Sequence, residues 1–160
     1  MGFEVREASY EDIPAIAQIT YEAFLKYAEL VGNNNIQALR ETDEDIRKDI
    51  DTSIVLVAFM DGVPVGSVRV KVDKETNTAY LSRFGVKVSS QNNGIGKSLM
   101  NLVDIKMREL GIKQIMLHNL GGPWRKVVLT PTLGCRVLYM YTISNLFIVI
   151  FGFFPILFSC

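Results

Sequence analysis

Residues 89–98 read Ser89-Ser90-Gln91-Asn92-Asn93-Gly94-Ile95-Gly96-Lys97-Ser98, and this stretch decides how the rest of the chain is arranged. Before it, Thr78–Val88 has the composition of a strand. After it, Leu99, Leu102, Val103, Ile105, Met107 and Leu110 recur at the three- and four-residue spacing of an amphipathic helix closed by Gly111. The run is therefore a loop between a strand and a helix. Small residues at 94 and 96 let the backbone approach a ligand and adopt dihedrals that a side chain forbids. The helix behind them points unpaired N–H groups and the positive end of its dipole into the same hollow, and such a place binds phosphate oxygens. An amide bond to a charged acceptor contributes about 1.5–3 kcal/mol, so a handful of them can hold a pyrophosphate.

Ahead of the loop the pattern predicts a meander. Ile54–Met60 is an unbroken apolar run, turned by Asp61-Gly62, and Val65–Val72 returns with alternation, which is a hairpin signature. Asp73–Asn77 makes a second turn into Thr78–Val88. At the start, Phe3–Arg6 alternates as a short strand. Ser9 and Asp12 then form a capping-box pair, with Pro14 in the first turn of a helix. Ile13, Ile16, Ala17, Ile19, Thr20, Ala23, Phe24 and Tyr27 form that helix's core face, and Tyr21, Phe24 and Tyr27 are read as packing it. Gly32 ends the helix. A second, polar helix is predicted over Ile36–Ile50, with the run Glu41-Thr42-Asp43-Glu44-Asp45 as a solvated face or as a lip that attracts a cation. Lys113–His118 reads as one more buried strand. The order is β-α-α-β-β-β-α-β, an α/β fold with a mixed, mostly antiparallel sheet flanked by helices.

Composition bounds the function. Lys plus Arg equal Asp plus Glu at 17 each, and no basic stripe offers a nucleic-acid surface. One His and two Cys, Cys135 and Cys160, provide neither a metal-ligand spacing nor a disulfide framework, so no metal is expected. Met1–Arg6 lacks a secretory signal pattern, which gives a cytoplasmic reading.

The loop and its setting resemble the GNAT superfamily of N-acetyltransferases. Members bind acetyl-CoA with Gln/Arg-x-x-Gly-x-Gly/Ala between the fourth strand and the third helix, and Gln91-Asn92-Asn93-Gly94-Ile95-Gly96 matches in the same topological place. The resemblance covers residues 3–119 and implies an acetyltransferase domain over 1–120. It implies that the backbone of Phe84, Gly85 and Val86 pairs with the pantetheine arm. Amides from Asn92, Asn93, Gly94, Ile95, Gly96, Lys97 and Ser98, beside Gln91, would hold the pyrophosphate, and Asn119 would contact the cofactor. Lys97 is either a phosphate contact or a solvated first-turn residue. The implied partners are acetyl-CoA and a primary amine on a small molecule or a protein, and a homodimer is allowed. A rival identity, a phosphate-binding NTPase loop ending Gly96-Lys97-Ser98, fails because the first glycine of that motif falls on Gln91.

Transfer to an amine requires the neutral nucleophile. An alkyl ammonium of pKa about 10.4 must first lose its proton, to a general base or through water. Many members carry a Glu eight residues before the loop's Gln; here that position is Arg83. The Tyr often found seven residues after the strand-five Asn corresponds to Lys126. The catalytic acid and base are therefore unassigned, with His118 and Tyr80 as candidates, and a catalytically impaired CoA-binding or membrane-tethered module is the alternative.

Residues 121–160 read differently. They hold no acidic residue and only Arg125, Lys126 and Arg136 as bases, and Ile143–Phe158 is dense in Ile, Phe and Leu. Three readings stay open for this segment: strands that complete the sheet, a membrane anchor, or an end that is not native to the family.

Overall fold

A computed structural model describes residues 2–117 and 125–128. The chain runs β1 (Phe3–Glu7), α1 (Ile13–Val31), α2 (Asp43–Thr52), β2 (Ile54–Met60), β3 (Val63–Asp73), β4 (Thr78–Val86), α3 (Ile95–Glu109), β5 (Gln114–Leu117) and β6 (Arg125–Val128). The six strands lie side by side in chain order. Each pair is antiparallel except β4 and β5, which are parallel and joined by α3. Parallel neighbours need a crossover, and α3 supplies it from one face of the sheet.

Two apolar layers follow from strand alternation. Leu56, Val68, Val70, Ala79 and Leu81 meet Ile95, Leu99, Val103 and Met107 of α3. On the other face Val55 and Val57 meet Ile13, Ile16 and Ile46 of α1 and α2. Each fully buried branched side chain contributes about 1.5–3 kcal/mol relative to exposure, so both layers anchor their helices. The chain enters α1 as expected: Asp12 closes the capping box on Ser9 and takes a two-pronged bond from Arg6, at 2.7 and 3.0 Å. Phe24 is buried and Tyr27 half-buried, but Tyr21 is half-exposed at 50 %, so the expectation that it packs the helix is corrected.

Two boundaries differ from expectation. The helix expected over Ile36–Ile50 is a 3-10 turn, Gln37–Arg40, followed by α2 from Asp43. Thr42 forms a capping box with Asp45, and its extended backbone forces the break. Strand β4 ends at Val86, because Val88–Ser90 tightens into a 3-10 turn leading to the loop.

Candidate functional site

The site is built on the second half of β4 and the loop that follows it. Thr78–Leu81 pair with Gln114–Leu117, where the described part of β5 ends. On its other edge β4 stays paired with β3, through a bulge: Ser67 opposes Gly85 and Arg69 opposes Ser82, so Arg83 and Phe84 together face Val68. Arg83 carries the irregularity, at φ 49°, a conformation costly for a non-glycine residue. Beneath the bulge, a Cβ on Gly85 would stand 3.0 Å from the Ala23 Cβ. A glycine at 85 is what lets α1 lie against this segment.

The loop follows the end of β4 through the 3-10 turn at Val88–Ser90. Gly94 is the N-cap of α3 at φ 76°, with no side-chain cap, and a Cβ there would project into open space. The first bond of the helix runs from the Ser98 N–H to the Gly94 carbonyl at 3.0 Å. The amides of Ile95, Gly96 and Lys97 therefore precede the helical ladder, and no acidic side chain occupies the first turn. Asn92 is also left-handed, at φ 65°. The Gln91 side chain donates back to the Val86 carbonyl at 3.3 Å, and Asn93 to the Ser90 carbonyl at 3.3 Å. The first ties the loop to the strand and the second ties it to the turn before it, while Asn92, Asn93 and Gly94 stay exposed. Ile95 is buried against the core, and Lys97 is exposed at the first turn. An anion would meet backbone N–H groups and an uncompensated helix dipole here, which fits the diphosphate of a nucleotide cofactor.

On the α1–α2 face, behind the bulge, lies a charge cluster that local sequence patterns do not show. Arg69 is almost wholly buried and grips both oxygens of Glu41 at 2.5 and 2.6 Å, with Asp49 at 2.6 Å. Arg83 Nε reaches the same Glu41 at 3.2 Å. Burial pushes the Arg69 guanidinium toward neutrality, but the bonds to Glu41 and then to Asp49 outweigh it and hold it charged, above its ordinary range. Glu41 is only 7 % exposed, so the reading of the acidic run as a solvated face or cation-attracting lip is corrected at Glu41. Asp43, Glu44 and Asp45 do face solvent. Next to the cluster, Asp49, Arg69, Lys71, Tyr80 and Ser82 line a cavity of about 720 Å³. Tyr80 is thus brought to a cavity wall on β4. His118, Asn119 and residues 129–160 lie outside the described residues, as do Tyr139 and Tyr141. Among the described residues no group of His, Cys, Asp or Glu could hold a metal ion, and no helix is long and apolar enough to cross a membrane.

The Acetyltransferase (GNAT) family profile matches residues 15–121. No curated protein sequence matches the chain. Among solved structures, the chain is similar to the PaiA N-acetyltransferase of Thermoplasma acidophilum in complex with coenzyme A. That pair shares 22 % identity over 74 % of this chain and 80 % of that one, with a TM-score of 0.65. A GNAT-family acetyltransferase of Staphylococcus aureus Mu50 aligns at 16 % identity over 74 % of each chain, TM-score 0.61. A putative GNAT acetyltransferase of Xanthomonas campestris pv. campestris aligns at 22 % identity over 76 % and 78 %, TM-score 0.58. These identities establish a shared fold.

Proposed function

We propose, because the chain belongs to the GNAT acetyltransferase family, that it transfers the acetyl group of acetyl-CoA to a primary amine of a small molecule or protein. The observation that carries this reading is the N-terminus of α3, whose first amides have no side-chain cap, set directly after β4 and its bulge. Amides from Asn92 to Lys97 would hold the pyrophosphate, that of Ser98 being taken by the Gly94 carbonyl, with Gln91 fixing the loop through Val86. The backbone of Phe84, Gly85 and Val86 would hold the pantetheine arm, and its N–H groups would polarise the thioester carbonyl. The thermoplasmal neighbour was solved with coenzyme A, which supports the same ligand here. In the reaction the amine nitrogen bonds to the acetyl carbon, the carbon–sulfur bond breaks, and the proton released by the amine ends on the thiol. Positioning supplies much of the rate in such a transfer.

Arg83 cannot accept the amine's proton at neutral pH, and Glu41 has both oxygens engaged by guanidinium groups. Tyr80, on the cavity wall, is the described candidate for proton transfer. Asn119 would contact the cofactor, as the resemblance implies, His118 is the other candidate for proton transfer, and the chemistry would take place in the cytoplasm, where an acetyl-CoA-dependent reaction has its co-substrate. Arg83 in place of an acid also favours a second reading, a CoA binder without turnover.

Calorimetry with acetyl-CoA tests the site. The chain should bind, and a Gly94→Trp variant with an unchanged far-ultraviolet spectrum should not, because the indole fills the open space before α3 that the diphosphate needs. Equal binding by both would move the cofactor elsewhere. Thiol release with an amine panel then separates an enzyme from a binder.

A further inference from the structure

We propose that the protein binds an internal water molecule between α1, β3 and the segment leading into α2, held by the Thr20 hydroxyl, the Ser67 hydroxyl and the Nε–H of Arg69. The three residues are 1, 1 and 2 % exposed, and these three side-chain groups have no hydrogen-bond partner among the described residues. Thr20 does not take the usual recourse of a helical threonine, a bond to the carbonyl one turn back. A buried hydroxyl or guanidinium N–H without an acceptor is costly. Three of them on facing elements call for a common partner.

The fold brings the three to one place. Ser67 opposes Val57, a member of the apolar layer under α1 and α2, and Arg69, two residues on, points to the same side of β3. The η nitrogens of Arg69 go to Glu41 and Asp49, while Nε lies two bonds nearer the strand. On α1, Ile13 is seven residues before Thr20 on the same stripe and clusters with Ile46 of α2. Phe24, four residues after it, clusters with Ile36 and Ala38. Thr20 therefore faces the stretch between Ala38 and Ile46, where Glu41 receives Arg69. Its neighbours Ile19 and Ala23 meet Gly85, the strand partner of Ser67. A water molecule satisfies the three groups together. It accepts from Nε–H and from one hydroxyl and donates to the oxygen of the other, and three bonds are usual for a buried water. An anion could accept from the same donors, but Glu41 and Asp49 already match the two guanidinium groups here, so its charge would be buried without compensation. A cation is excluded because Nε–H can only donate.

The test is urea unfolding of the parent chain, Thr20→Val, Ser67→Ala and the double variant, with oxygen-17 magnetic relaxation dispersion counting the long-lived internal waters of each folded protein. Val keeps the shape of Thr, and a hydroxyl with no partner is better replaced by a methyl, so the sign of the change is informative. With the water bound, each single variant should lower the midpoint by about 0.3–1 M, the loss of a hydrogen bond at the usual slope. The double variant should lose less than the sum, because both hydroxyls hold one molecule. The relaxation amplitude should fall by one water in the double variant, and Thr20→Ser, which keeps the hydroxyl, should retain it. Midpoints that rise or hold in both single variants would overturn the inference, as would strictly additive losses or an unchanged amplitude. A parent midpoint that depends on chloride at constant ionic strength, lost in the double variant, would assign the place to an anion and overturn it as well. None of these outcomes bears on the acetyltransferase reading, which rests on the loop before α3.

Discussion

Replacing Glu41 by Gln should destabilise the protein by about 3 kcal/mol, and the figure follows from the geometry of its partners. Arg69 is 3 % exposed and Glu41 7 %, so neither charge has water to fall back on. Gln keeps the shape and one acceptor oxygen, but it turns an NH₂ group toward an Arg69 nitrogen that now donates to a carboxylate at 2.5 or 2.6 Å. Removing one member of a buried ion pair typically costs roughly 3–5 kcal/mol, because the other charge stays buried without compensation. The low end applies here because Asp49, 38 % exposed and 2.6 Å from Arg69, continues to neutralise it. Urea unfolding of the two chains, followed by far-ultraviolet circular dichroism, gives the difference from midpoints at a common slope. A second variant, Glu41→Leu with Arg69→Met, removes both charges and should recover most of the loss, since apolar replacement of a whole buried pair is often neutral. A loss below about 1 kcal/mol for Glu41→Gln would show that water reaches the cluster and that the reasoning from burial is wrong.

Two further outcomes are expected away from the cluster. Asp12 is held below the ordinary carboxylate range, first by its bond to Arg6 and further by Ser9, with burial opposing. Its stabilisation is therefore fully present above the unfolded value of about 3.9 and is lost as pH falls from there through the folded value. Asp12→Asn should flatten the acid limb of a stability–pH curve between about pH 4 and the folded pKa, and an unchanged limb would assign the acid sensitivity to other groups. Gly85→Val should cost about 1–3 kcal/mol by overpacking, since even its Cβ would meet that of Ala23 at 3.0 Å. Adding Ala23→Gly should return part of the loss in a thermal melt, and no recovery would mean that the strain lies elsewhere.

The legible parts of the molecule are those set by neighbours in sequence. Ile54–Met60 and the Asp61-Gly62 turn carry their own register, and β2 begins and ends at those residues. The phosphate-type loop is legible because glycine positions, strand and helix lie within about twenty residues of one another. The break before α2 was also written locally, in Thr42 and Asp45, but the acidic run around them obscured the cap. Glu41 was misread for a different reason. Its burial depends on Arg69 and Arg83, 28 and 42 residues away, and nothing in a run of carboxylates distinguishes the one that turns inward. The bulge is equally silent, because a left-handed backbone at an arginine has no composition signal.

Arg83 joins these two hidden features. Its backbone is strained at φ 49°, and such a conformation persists only where surrounding contacts over-determine it. The bond from Arg83 Nε to Glu41 is one such contact, and it ties the bulge to the segment that leads into α2. Arg83→Gln should therefore lower stability by less than Glu41→Gln in the same urea measurement, because Arg69 still neutralises Glu41. An equal loss in the two variants would show that the tie to the bulge, and not the buried pair with Arg69, is what Glu41 contributes.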